Sequence, residues 1–195
     1  LGPLQYRPAD ENHPEFPTDV YSATKMVSEK YVLIYAKAYG LNATVIRLPN
    51  VFGPRAAIHS ADFAFNNYFV GLALQDKQIT VYRPGNQLRN VLYVDDAVNA
   101  LLTVTESSES VGETLFAVGD QHYSVKTIAE RICQVLGGSV KMVEWSKTGK
   151  AIDVGDAVIT NAKIKRVLGW APSITLDEGL VRTGRYFQNR LGSYL

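Results

Sequence analysis

The chain has 195 residues, 46% of them hydrophobic and 20% charged, with a net charge of +1. That length and balance suit one large or two small folded domains with a substantial buried core, and they exclude a disordered chain. Near-neutral charge offers no basic surface to nucleic acid or an anionic membrane, and no apolar run approaches the ~20 residues of a bilayer span.

Residues 1–17 are polar and proline-rich, with Asp10, Pro14 and Pro17, and are expected to be a loop. A helix is predicted over 19–39, with apolar positions near Val20, Met26 or Val27, Tyr31, Ile34 and Tyr35, ended by Gly40. Residues 43–48 form a β-branched run with the continuous apolar character of a buried parallel strand. Residues 50–62 look like a loop with a turn at Gly53 and Pro54, and a helix is expected over 63–75. Strands are predicted at 79–82 and 90–94, with Asp95 able to cap a helix through Val104. A strand at 114–118, a helix at 124–136 and a short strand at 140–145 follow. Two helices close the chain, one over 161–168 stopping at Gly169, the other starting at Thr175. There Thr175 and Glu178 have the spacing of a capping box. Strands alternating with helices predict an α/β fold with a largely parallel sheet.

The single cysteine, Cys133, shares helical spacing with Ile128, Ile132 and Leu136, so a core position is expected. No internal disulfide is possible, which fits a reducing, cytoplasmic setting. The chain begins at Leu1 without a methionine, and a fragment or processed product is expected. Lys163, Lys165 and Arg166 alternate with apolar residues and belong on the wet side of a helix. His13, His59 and His122 lack the spacing of metal ligands. Trp170, after Gly169, is expected to pack at a helix end.

Tyr21 and Lys25 stand four residues apart in the first predicted helix, and residues i and i+4 share a helix face. A free phenol titrates near 10, and a neighbouring ammonium favours its anion, which suits general acid–base work. Alone the spacing is common, and its surroundings give it weight.

Four stretches occur in one order: Asp10-Glu-x-x-Pro14-x-x-Pro17 leading to Tyr21 and Lys25; Arg47-Leu-Pro-Asn-Val-Phe-Gly-Pro-Arg55; Ile79 to Tyr82 through Arg89 to Asp96; and Leu168-Gly-Trp-x-Pro172. Together they resemble the C-terminal part of the extended short-chain dehydrogenase/reductase family, which includes NAD-dependent nucleotide-sugar epimerases, dehydratases and decarboxylases. The resemblance covers essentially the whole chain. It implies a Rossmann-like doubly wound parallel sheet with a small α/β substrate-binding subdomain. Residues 1–60 would be the rest of the cofactor-binding part, with the Tyr-Lys helix. Residues 61–195 would be mainly the subdomain, with segments near 90–120 returning to the Rossmann-like part. The family's glycine-rich pyrophosphate turn is missing from this sequence. That turn, and the family's catalytic serine or threonine, are expected upstream of Leu1.

The resemblance also implies roles. Tyr21 would be the acid–base group, and Lys25 would support it and bond the nicotinamide ribose. Leu48 and Pro49 would border the nicotinamide of NAD, expected in preference to NADP. Asn50 would contact the diphosphate of a nucleoside-diphosphate sugar, with an Asx turn as the alternative. Asn67 resembles a second diphosphate contact, although helix capping would explain it too. Tyr82 matches an aromatic residue on the nucleotide base. Arg89 matches an arginine that grips diphosphate bidentately, as a lysine could not. Asp156 resembles a carboxylate near the nucleoside. Some positions depart from the pattern. Ile152, Asp153 and Val154 stand where an arginine is expected, Arg83 replaces a glycine, and Asn90 replaces an aspartate.

The leading expectation is a C4 epimerase of a nucleoside-diphosphate hexose, forming a homodimer through the Tyr-Lys helix. A dehydratase or decarboxylase of the same family is the alternative. A different class, a non-catalytic substrate-binding and dimerising module, would equally expose an apolar stripe along 19–39.

Overall fold

The computed structural model describes residues 1–61, 64–145 and 154–195. Helix α1 spans Val20–Tyr39. Asp19 caps it by accepting from the Ser22 backbone N–H at 2.7 Å, which satisfies a free donor of the first turn. Gly40 closes it at φ 66°, a left-handed conformation that a Cβ would penalise.

Strand β1 (Val45–Arg47) runs directly into β2 (Asn50–Phe52), yet the two join different sheets. Pro49, which has no N–H to donate, lies at the break. The fold continues with α2 (Phe65–Leu74), β3 (Gln78–Tyr82), β4 (Leu88–Tyr93), α3 (Val94–Thr105) and β5 (Thr114–Phe116). It ends with β6 (His122–Ser124), α4 (Val125–Leu136), β7 (Ser139–Val143), α5 (Ala162–Leu168) and α6 (Leu176–Phe187). Strand β1 pairs in parallel with β5, β2 with β4, and β3 with β7, while β6 pairs antiparallel with β4. The architecture is the expected α/β fold with parallel pairing, divided among the described residues into three small sheets.

Several local expectations need correcting. Residues Asn50–Phe52 form a strand, not a loop, because they pair in parallel with Val91–Tyr93 of β4, and the Asn66 and Asn67 side-chain amides, donating to the Asn50 and Val51 carbonyls, dock the strand on α2. Three residues between Pro49 and Gly53 are too few to show a periodicity. The turn after them needs glycine: a Cβ on Gly53 would lie 2.6 Å from Val94 Cγ1. Asp95 is not the cap of α3. Tyr93 occupies that place, and Asp95 and Asp96 sit in the first turn, where the helix dipole favours anions. Likewise Ala64, not Asn67, caps α2. Strand β1, expected to be buried, is half-buried along its length. Residue 62 of the expected 50–62 loop, residue 63 of the expected 63–75 helix, and Ile152 and Asp153 lie outside the described residues.

Among the described residues, two apolar clusters hold the fold. The larger gathers Val70, Ile79, Val81, Ile128, Ile132, Leu180 and Phe187 from α2, β3, α4 and α6. The smaller joins Leu92, Ala97, Ala100, Leu115, Ile164 and Trp170, with Trp170 packed at the end of α5 as its position suggested. Cys133 is half-buried against the larger cluster, and burial pushes its thiol up. Thr175 caps α6 by accepting from the Glu178 N–H at 3.2 Å. The Glu178 carboxylate accepts instead from Arg182.

Candidate functional site

Helix α1 contributes no buried residue, so its face is free to carry chemistry. Tyr21 is 72% exposed. Lys25 Nζ lies 5.5 Å from the centre of the Tyr21 ring, so the two side chains share one face, as four-residue spacing requires. Both line a cleft of about 780 Å³ that is also lined by Leu48 and Pro49, at the carboxyl end of β1. The structure therefore brings four of the expected residues, Tyr21, Lys25, Leu48 and Pro49, into one cavity.

The other five lie elsewhere among the described residues. Asn50 is half-buried, and its amide donates to the Asn90 carbonyl at 3.1 Å. Asn67 is buried, with its amide bound to the Val51 carbonyl at 2.9 Å. Tyr82 stacks on Trp145 with ring centres 4.5 Å apart. Arg89 donates to the Leu88 and Gly155 carbonyls at 2.9 and 2.5 Å. Asp156 accepts from the Leu88 N–H at 2.9 Å and pairs with Arg7 at 2.7 Å. Arg89 and Asp156 thus flank one residue at the start of β4.

Three residues lining the cleft were not singled out from the sequence: Glu15, Glu29 and Arg47. Arg47 Nε donates to Glu29 Oε2 at 2.9 Å, and Arg47 Nη2 donates to Glu29 Oε1 at 2.7 Å. The same Nη2 pairs with Glu15, and Lys30 bonds Glu15 at 3.0 Å. Burial pushes the Glu29 carboxyl up, but Arg47 and Lys30 outweigh it and hold it below its ordinary range. Burial disfavours the Arg47 charge too, yet Glu29 and Glu15 keep that proton bound more firmly than usual. A signal existed: Glu29 follows Lys25 by one helical turn, and Arg47 opens the Arg47-Leu-Pro-Asn motif.

A fourth residue missed, outside the cleft, is Asn90. It is buried; its amide donates to the Gly119 and Gln121 carbonyls at 2.8 and 3.1 Å, and its oxygen accepts from Gly119 N–H at 2.7 Å. Among the described residues no group of three His, Cys, Asp or Glu could hold a metal, and no helix is long and apolar enough to cross a membrane.

Parallel α/β pairing with a cleft at the carboxyl end of a strand is the arrangement of Rossmann-like α/β proteins. Comparison with known proteins narrows the class. A family model described as NAD dependent epimerase/dehydratase family matches residues 1–119, and the chain belongs to that family. It is 34% identical over 179 residues to UDP-glucuronic acid decarboxylase 1 of Xenopus tropicalis, covering 92% of this chain and 41% of that protein. Among solved structures, it is similar to UDP-glucose 4-epimerase of Thermotoga maritima with UDP-glucose. That match has a TM-score of 0.84 and 26% identity over 98% of this chain and 60% of the other. It is also similar to dTDP-glucose 4,6-dehydratase of Bacillus anthracis in complex with NAD. There the TM-score is 0.81 and the identity 25%, over 97% of this chain and 58% of the other. The chain thus spans about half the length of the relatives it matches.

Proposed function

We propose that the chain is the acid–base and substrate-facing part of an NAD-dependent nucleotide-sugar epimerase acting at C4 of a nucleoside-diphosphate hexose. One observation carries this reading: an exposed Tyr21 phenol and the Lys25 ammonium share the mouth of a large cleft walled by Leu48 and Pro49. The residues present fit NAD. Lys25 offers donors to a ribose, and Leu48 and Pro49 offer an apolar wall to a flat ring. When bound, NAD would supply hydride acceptance and return. The chain's own task is the proton. Tyr21, starting as the phenolate beside the Lys25 charge, takes it from the sugar hydroxyl and, as the neutral phenol, later gives it back.

In this reading residues 1–60 belong to the cofactor-binding part and 61–195 mainly to the substrate-binding subdomain. Arg89, Asp156, Tyr82, Asn50 and Asn67 form the substrate side. Gripping a diphosphate requires Arg89 to exchange its carbonyl partners for phosphate oxygens. Homodimerisation through α1 is supported by its exposed apolar residues, including Tyr31, Ile34 and Tyr35. A cytoplasmic setting completes the reading.

A second reading, decarboxylation of a sugar acid, draws on the 34% identity to a UDP-glucuronic acid decarboxylase. One experiment separates the two. The full-length protein is incubated with NAD+ and, in parallel, UDP-glucose, UDP-glucuronic acid and dTDP-glucose. Formation of a C4 epimer, release of CO2 or loss of water identifies the reaction. Tyr21→Phe should lower turnover by about 10³-fold while sugar-nucleotide affinity stays within about threefold. Retained turnover in Tyr21→Phe would falsify the acid–base assignment.

A further inference from the structure

We infer that the ion cluster of Arg47, Glu29 and Glu15 sets the position of the Tyr21–Lys25 pair over the Leu48–Pro49 wall. Arg47, Glu29 and Glu15 are then positioning residues for the proton transfer. The inference rests on the enzymatic reading above and names which further residues that reaction depends on.

A helix normally takes its place from a buried apolar seam, and α1 has no fully buried residue, only a half-buried row that includes Met26, Leu33 and Ala36. Among the described residues, Glu29 and Lys30 are the α1 side chains whose hydrogen bonds or ion pairs reach beyond the helix and its N-cap. Both run to the same cluster. Glu29 lies one turn beyond Lys25, so at 1.5 Å per residue the two are about 6 Å apart along the axis. On the sheet side, Arg47 is the residue immediately before Leu48. The cluster therefore links the acid–base pair to the cleft wall through one turn of helix and one peptide unit.

The form of the link matters. Arg47 meets Glu29 as a planar fork, with two parallel bonds of 2.9 and 2.7 Å. Such a fork constrains orientation as well as distance, whereas a point charge constrains orientation little. The guanidinium is held in turn from the sheet, 5.2 Å from the ring centre of Phe116, its register partner on β5. Lys30 anchors Glu15 at 3.0 Å from the helix side.

Stability alone does not explain the cluster. The three side chains are 11–15% exposed, and one oxygen of Glu15 and one nitrogen of Arg47 are buried without a hydrogen-bond partner. Buried ion pairs contribute little net stability once desolvation is counted, and fixing a register is their best-attested use.

The test compares Arg47→Lys and Glu29→Asp in the full-length protein with NAD+ and whichever of UDP-glucose, UDP-glucuronic acid or dTDP-glucose is turned over. Arg47→Lys keeps the charge and loses the fork, while Glu29→Asp keeps the charge and shortens the reach. Each should lower kcat by about 10- to 100-fold, with KM within about threefold, as a small displacement of reacting groups does. A purely structural role would instead lower activity in proportion to the folded fraction and leave kcat per folded molecule unchanged. That result, or wild-type kcat in both variants, overturns the inference. Should Arg47→Lys fail to fold, Glu29→Asp decides alone. Tyr21→Phe, run in parallel, separates the two failures. If it abolishes turnover while the fork variants keep theirs, only the positioning role is lost. If no sugar nucleotide is turned over by the wild type, the enzymatic reading and this inference fall together.

Discussion

The α2–α4–α6 region and the α1–β1 region of this chain are held by opposite means. The first closes around fully buried Ile128, Ile132, Leu180 and Phe187. The second leaves Tyr31, Ile34 and Tyr35 exposed on α1 and is fastened by charge, through Arg47, Glu29, Glu15 and Lys30. Apolar packing fixes an element by covering it, so the face held that way cannot also meet a ligand. Directional charged bonds fix an element at a few points and leave the rest open. The acid–base pair sits in the region held by charge, where an accessible phenol is compatible with a defined position.

The sharpest way to break this contrast is to remove equal apolar bulk from each region. Leu180→Ala, at a side chain 1% exposed, should cost about 3–4 kcal/mol in urea unfolding, the range for emptying a packed core site. Ile34→Ala, at a side chain 56% exposed, should stay within about 0.5 kcal/mol. Comparable losses from both would mean that the α1 face is covered in solution, by a second copy or by further chain.

A smaller effect sharpens the comparison, because the entry to the packed region depends on one buried acidic side chain from α3. Asp96 is 3% exposed. It accepts from the Ser173 N–H at 3.0 Å, the Ser173 hydroxyl at 2.8 Å and the Ile174 N–H at 2.9 Å, and so ties α3 to the segment entering α6. Asp96→Ala strands two backbone donors and should cost about 2–3 kcal/mol. Asp96→Asn, which keeps one acceptor, should cost about half as much. Equal losses from the two variants would show that the hydrogen bonds are not the source.

What could be read from the sequence divides along the same line. Long periodic elements were legible: α1 and its Gly40 stop, α4 after Ser124, and α6 after Thr175, because local chemistry dictates where helices begin and end. The tyrosine–lysine pair was legible for the same reason, since i, i+4 geometry is local. Short strands were not. Residues Asn50–Phe52 and His122–Ser124 are extended because distant partners, Val91–Tyr93 and Leu88–Asn90, demand it. Nor was the Arg47 cluster, which joins three residues from the N-terminal loop, α1 and β1. Asn90 shows the limit well: read as a departure from an expected aspartate, it proves to be a buried amide organising the Gly119–His122 turn. Its bonds lie about thirty positions away, where no local pattern points.

The smallest predicted effect concerns the seam between the N-terminal loop and the sheet. Ala9 bridges to Ile159, and its N–H and C=O bond to Val158 and Thr160, each at 2.9 Å. That strip is held by His122, whose Nε2 accepts from the Ile159 N–H at 3.0 Å. The bond requires an unprotonated Nε2, and burial independently lowers the His122 pKa below its ordinary value. With the folded value depressed, the unfolded chain binds a proton that the folded chain refuses. Stability is therefore complete above the ordinary histidine pKa near 6.5 and is lost as pH falls from there through the folded value. Losing one accepted hydrogen bond sets the scale at about 1 kcal/mol. Urea midpoints measured between about pH 7.5 and 5 should fall more steeply for the wild type than for His122→Gln, whose amide oxygen can accept without titrating. Parallel slopes would assign the acid sensitivity to other groups. A steeper wild-type slope accompanied by faster amide exchange at Ile159 and Thr160 would locate it in the seam that joins the charge-held region to the packed one.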